Sequence, residues 1–228
     1  MKRVLLLLAA MVLFAVPMTA FADTLTFQAP ATAPNSGNGG PNQFDLDHHS
    51  AYTWRIDNVN LAGKTITGAR ITFRSISNWD ANANMLFVHL LDTAINSGVA
   101  SFTDASGVPV AQAQIADNFA GALLGTNPLV APGTGNTLLF SQSFSTSPST
   151  FVFNFTAAQV QALSAYFLNN NNIAFGFDPD CHYWNNGIKF EVYTSTVPEP
   201  TTMLLLGTGL AGIAAKIRKR KSIKEAQI

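Results

Sequence analysis

Two uninterrupted apolar runs sit near the ends of the chain, Val4–Val16 and Thr201–Ala215, each beside basic residues. Neither belongs in the core of a water-soluble domain, so together they confine the folding part of the 228-residue chain to roughly 23–196. At the front, Lys2 and Arg3 precede the first run, and Ala20-Phe21-Ala22 supplies small residues behind it. This is the pattern of a secretory signal peptide over residues 1–22, with signal peptidase cutting between Ala22 and Asp23. At the back, the second run has 15 residues, short of the ~17–20 that a spanning helix needs. Lys216 can reach the interface by snorkelling, which brings Ile217 into the span and gives a predicted transmembrane helix over 201–217. Lys216, Arg218, Lys219, Arg220, Lys221 and Lys224 follow, placing this end on the cytoplasmic side. Gly207 with Ala211, and Thr208 with Gly212, have the spacing that lets a second helix approach closely.

Between the body and the apolar run stands Val197-Pro198-Glu199-Pro200. This motif, the apolar run and the basic end, in that order, resemble the PEP-CTERM sorting signal of Gram-negative bacteria over 197–228. The resemblance implies processing by exosortase, with this chain as substrate and Pro198-Glu199-Pro200 as a recognition element. It further implies an inner-membrane intermediate with the body in the periplasm. The protein would end at the cell surface or in the extracellular matrix, in a setting of biofilm and exopolysaccharide.

The charge of the whole chain is formally zero, but the balance is uneven. Residues 23–196 carry five Lys and Arg against eleven Asp and Glu, a formal charge of −6. Nucleic-acid binding requires a basic surface that displaces counterions, and this body has none, so nucleic acid is excluded as a partner. Excess carboxylate suits a hard cation, and calcium is the candidate cofactor. With Cys181 the only cysteine, no intramolecular disulfide forms.

Alternation at every second residue dominates the body. Leu25 and Phe27, then Tyr52, Trp54 and Ile56, then Ala69, Ile71 and Phe73, then Phe151, Phe153 and Phe155 alternate with polar neighbours. Met85–Leu91 is apolar on both faces apart from His89 and reads as a central strand. Ile173–Phe177 and Ile188–Tyr193 are the last two strands. Residues 94–137 give only weak signals, around 108–115 and 138–140. One helix is predicted after Thr156, where Gln159 completes a capping box and Val160, Leu163 and Phe167 share a face. The expected fold is all-β, an antiparallel β-sandwich of jelly-roll type with one short helix.

Two stretches echo each other, Phe44-Asp45-Leu46-Asp47-His48-His49 and Phe177-Asp178-Pro179-Asp180-Cys181-His182. First and last strands often neighbour one another in sandwiches, so these stretches are expected to meet. Asp45, Asp47, Asp178 and Asp180, with His182, are then the candidate metal ligands, and calcium the ion. The plainer alternative is that these carboxylates bond local backbone in turns. Trp79 and Trp184 are the candidate ligand-binding aromatics, since indole faces stack on sugars while carboxylates and amides take hydroxyls. Trp79 lies between predicted strands and is the better candidate for exposure.

No nucleophile elbow, phosphate loop or dinucleotide fingerprint is present, and Cys181 and His182 are adjacent, hence on opposite faces of a strand. No catalytic residue is assigned. The body resembles exported β-sandwich domains of unknown function that precede PEP-CTERM tails, through Phe-Asp-Leu-Asp-His and Asp-Pro-Asp-Cys-His-Tyr-Trp-Asn-Asn-Gly-Ile; that resemblance carries no activity. The functional expectation is a structural or adhesive surface protein that binds polysaccharide with calcium in support. The alternative is an exported carbohydrate-active hydrolase using an Asp pair.

Overall fold

The computed structural model describes residues 22–30, 46–47, 50–103, 117–196, 206–214 and 216–217. Asp23–Thr194 is one compact unit, and Met1–Ala22 and Ser195–Ile228 fall outside it.

Among the described residues ten strands build the body: β1 Ala22–Gln28, β2 Ser50–Ile56, β3 Lys64–Asn78, β4 Leu86–Leu91, β5 Gly98–Thr103, β6 Asn136–Gln142, β7 Ser149–Asn154, β8 Ile173–Pro179, β9 Tyr183–Trp184 and β10 Ile188–Thr196. They form two sheets. One has the order β1-β10-β3-β7, with β9 added against β3; the other is β5-β2-β8-β4-β6. Setting aside the short β9 and the edge strand β5, eight strands remain. In chain order they lie 1-8-3-6 in one sheet and 2-7-4-5 in the other. That interleaving of two Greek keys is the jelly roll, as the sequence leads one to expect.

The alternating residues point between the sheets. Tyr52, Trp54, Ile71, Phe73, Phe175, Phe177 and Phe190 are buried in one continuous core. Ring packing within it is largely edge-on or tilted, as for Phe175 against Phe190 at 4.8 Å and 70°. β3 is 15 residues long and carries an irregularity. Ser75 takes a positive φ of 51°, and the register to β7 shifts between Phe73 and Ile76.

α1 is a single turn, Gly121–Leu124, without a side-chain cap, and the sequence offers no signal for it. α2, Ala157–Asn170, is the predicted helix. Thr156 and Gln159 bond each other reciprocally, and Asn171 closes the far end with φ 54°. Leu163 and Phe167 enter the main core.

β8 is buried on both faces. Its second face, and that of β2 and β4, lie under the segment 117–135. Ala51, Leu91, Ala94, Phe119, Leu129, Val130 and Ala174 make a smaller core there. This segment explains why β4 reads as apolar on both sides. It is fastened by polar groups: His89 sits between Asp117 (Nε2 to Oδ2, 2.8 Å) and Asn136 (Nδ1 to Oδ1, 2.8 Å). β5 falls where no strand is expected from the sequence, and the weak signal at 108–115 lies outside the described residues.

The described part of the tail, 206–214 with 216–217, is helical. Among the described residues no helix is long and apolar enough to cross a membrane. Met1–Phe21, Val197–Leu205, Ala215 and everything after Ile217 lie outside them, so the signal peptide, the sorting tetrapeptide and part of the predicted 201–217 span do too.

Candidate functional site

The two Asp-rich stretches meet at the end of the sandwich where β3 finishes. The Tyr183 N–H donates to the Leu46 carbonyl at 2.9 Å, and His182 Nδ1 lies 3.2 Å from Asp47 Oδ1. Asp47 is fixed from its other side, its N–H donating to the Tyr52 hydroxyl at 3.1 Å.

β9 joins this corner to β3 in antiparallel register, Ser77 opposite Trp184 and Asn78 opposite Tyr183. The Trp79 N–H then donates to the His182 carbonyl at 3.1 Å, carrying the ladder one residue further. Side chains repeat every second residue along a strand, so Trp79, His182 and Trp184 share one face while Asn78 and Tyr183 share the other. The Trp184 ring lies on the His182 imidazole, centroids 4.1 Å apart. Trp79 is 57% exposed, the largest exposure of any described aromatic. Its backbone is held in this ladder while the ring surface stays in water.

The opposite face is a dense amide and carboxylate shell. Asn78 Nδ2 donates to the Asn82 carbonyl (2.8 Å), and Asn84 Nδ2 donates to Asn78 Oδ1 (3.0 Å) and Asp80 Oδ1 (2.9 Å). Asp80 also accepts from the Asn82 N–H and side chain, at 2.9 and 2.7 Å. The Tyr183 hydroxyl donates to the Asn84 carbonyl at 2.5 Å, and burial raises its pKa far above the usual phenol value. The 78–84 turn behind Trp79 is thereby fixed before any ligand arrives.

The predicted metal ligands are distributed differently from a single cluster. Asp47 faces His182. Asp178 is buried under Asn118, whose N–H donates to Oδ2 at 2.6 Å. Asp180 accepts the Met85 N–H at 3.2 Å. Asp45 lies outside the described residues, as do His48 and His49. Among the described residues no group of three or more His, Cys, Asp and Glu side chains stands ready to hold a metal ion. The Asp180 pKa is pushed up to about 6, chiefly by burial and further by the Asp117 charge, against the opposing Met85 N–H.

Cys181 is buried and its thiol pKa is pushed up, mainly by burial, so the sulfur stays protonated. Glu191 is part of the sheet rather than of a cleft. It accepts from Arg70 Nε (2.6 Å) and the terminal guanidinium nitrogen (3.2 Å), with Lys189 at 3.1 Å. The arrangement at the β3–β9 corner thus offers an exposed ring, a second ring on an imidazole, and a half-exposed carboxylate, with no activated nucleophile beside them among the described residues. The His89–Asp117–Asn136 set escapes sequence reading, because Asp117 and Asn136 fall in the stretch with the weakest pattern.

A comparison with curated proteins finds no match for the chain. A family model does match its end. Residues 196–220 fit the PEP-CTERM protein-sorting motif, so the chain carries the signal of an exported, exosortase-targeted protein that is anchored transiently in the membrane.

Proposed function

We propose that this is a surface or extracellular-matrix protein that is released after exosortase processing and grips polysaccharide through the β3–β9 corner. Signal peptidase removes residues 1–22 in this reading, and the body of 23–196 is the working part. One observation carries the binding reading: Trp79 is anchored through its backbone yet exposed, in ladder register with the His182–Trp184 stack. Leaving an indole in water forfeits roughly 2 kcal/mol or more of burial, which a stacked sugar ring would recover. Asp47, with its side chain 43% exposed, stands beside the strip to accept from hydroxyls.

Calcium belongs to this reading as a supporting ion, drawn by the formal charge of −6 on the body. Asp47 would be one of its ligands.

The test is a glycan panel screened with the full chain, with and without calcium. Binding should fall at least tenfold in Trp79→Ala and less in Trp184→Ala, with the melting temperature kept. A calcium-dependent melting shift should accompany it and disappear in Asp47→Asn. Binding unaffected by Trp79→Ala would overturn the site. Cleavage of a bound glycan, lost on Asp180→Asn, would favour the hydrolase alternative instead.

A further inference from the structure

β7 is an outer strand of its sheet, paired on one side only, with β3. The Phe155 N–H donates to the Ala69 carbonyl at 2.9 Å, which makes 69/155 a hydrogen-bonded pair. In an antiparallel ladder such pairs alternate, so Phe151 and Phe153 also turn their backbone groups to β3. The N–H and C=O groups of Thr150, Val152 and Asn154 therefore point away from the sheet. Among the described residues nothing bonds to them.

Sheet edges usually carry a charge, a proline or a cover that prevents further pairing. β6, the outer strand of the facing sheet, has a cover: the Gln159 amide donates to the carbonyls of Leu138 (3.2 Å) and Leu139 (3.0 Å). Among the described residues β7 has none of these. Ser149-Thr150-Phe151-Val152-Phe153-Asn154 contains no charge, no glycine and no proline, and Val152 is a large exposed apolar residue.

We propose that β7 is a self-association edge, pairing with β7 of a second copy of this chain about a two-fold axis at Val152. The occupant follows from the sequence of the edge. Antiparallel pairing about Val152 puts Val152 opposite Val152 of the second copy, and Thr150 opposite its Asn154. All three outward residues then meet outward residues, so every pair is a hydrogen-bonded one. Valine meets valine, a hydroxyl meets an amide, and no like charges are opposed. The two four-stranded paths join into one continuous sheet across the dimer.

Cysteine trapping on the full chain in mild detergent reads the register directly. Cys181→Ser removes the native thiol from every sample. Cα atoms of a hydrogen-bonded pair are about 5.5 Å apart, within disulfide reach. Val152→Cys should therefore give a covalent dimer on mild oxidation. Thr150→Cys and Asn154→Cys should each give no covalent dimer, since Thr150 of one copy lies about 13 Å along the strand from Thr150 of the other. Mixed together, those two variants should cross-link. Val152→Lys, on an exposed face, should keep the circular dichroism of the parent and shift its size distribution from dimer to monomer. Absence of cross-linking by Val152→Cys, or equal cross-linking by Thr150→Cys alone, would overturn the pairing. Glycan binding by Trp79 is untouched by either result.

Discussion

The backbone N–H of Tyr183 donates to the carbonyl of Leu46, and this bond ties the beginning of the body to its end. Leu46 fills the core beneath it and has no exposed surface. Leu46→Ala should cost about 3 kcal/mol in urea unfolding, since a rigid β-sandwich closes poorly over a lost side chain. It should also loosen the Asp47–His182 pair, read as a changed His182 imidazole resonance by NMR.

Asp180 is raised to about 6 in the fold, against about 3.9 for an unfolded aspartate. The native protein holds this proton longer than the unfolded chain does, so stability declines as pH rises from about 4 to about 6 and is level above. Asp180→Asn keeps an oxygen for the Met85 N–H and abolishes the charge. It should melt higher than the parent at pH 7, by about 1 kcal/mol once solvent screening of a half-exposed group is allowed for. The difference should vanish near pH 4. A melting temperature below the parent at pH 7 would show that the charge is needed there.

Glu191 has the opposite sign. Its hydrogen bonds from Arg70, followed by those from Lys189, hold its pKa below the usual carboxylate value, although burial opposes them. This contribution is complete above about pH 4.3 and disappears as pH falls through the native pKa. Glu191→Gln should lower the melting temperature at pH 7, with the gap closing in strong acid. Thermal scans between pH 2 and 7 check the convergence.

A Cβ on Gly176 would stand 2.7–2.9 Å from the ring carbons of Phe119. Gly176→Ala should therefore push the 117–135 segment off the sheet and cost about 2 kcal/mol. Phe119→Ala should cost about 3–5 kcal/mol by leaving a cavity. The double variant should lose less than the sum, because the added methyl partly fills the space that the ring vacates. Denaturant titrations of the three variants decide this.

Replacing Pro198-Glu199-Pro200 by alanines should leave the melting of the body unchanged and keep the protein in the membrane fraction. Fractionation of cells carrying exosortase, followed by mass measurement of the released form, distinguishes retention from cleavage. Release at the parental level would show that Pro198-Glu199-Pro200 does not direct processing.

The fold was legible where periodicity is strong. Tyr52-Thr53-Trp54-Arg55-Ile56 and the Phe151/153/155 repeat announce half-buried strands, and Thr156 with Gln159 announces the helix by a local bond. β5 was not legible, because Gly98-Val99-Ala100-Ser101 is small on both faces and pairs only at an edge. The corner was legible in part. The repeated Phe-Asp-x-Asp pattern marks two stretches that come together, and a loop position singled out Trp79. What the pattern could not give is the partner of each carboxylate. Asp178 is served by Asn118, which approaches from a segment with no periodicity of its own, and the Ser75 irregularity that accompanies the end of β3 leaves no trace in residue type.

The placement of β10 has a consequence for timing. It lies between β1 and β3, and Ile188, Phe190 and Val192 belong to the main core. The sheet is therefore left with a gap until the residues just ahead of Val197 have been exported. Only a handful of residues separate that last strand from the apolar run. Closure of the sandwich therefore cannot run ahead of the sorting signal's arrival at the membrane by more than that handful of residues.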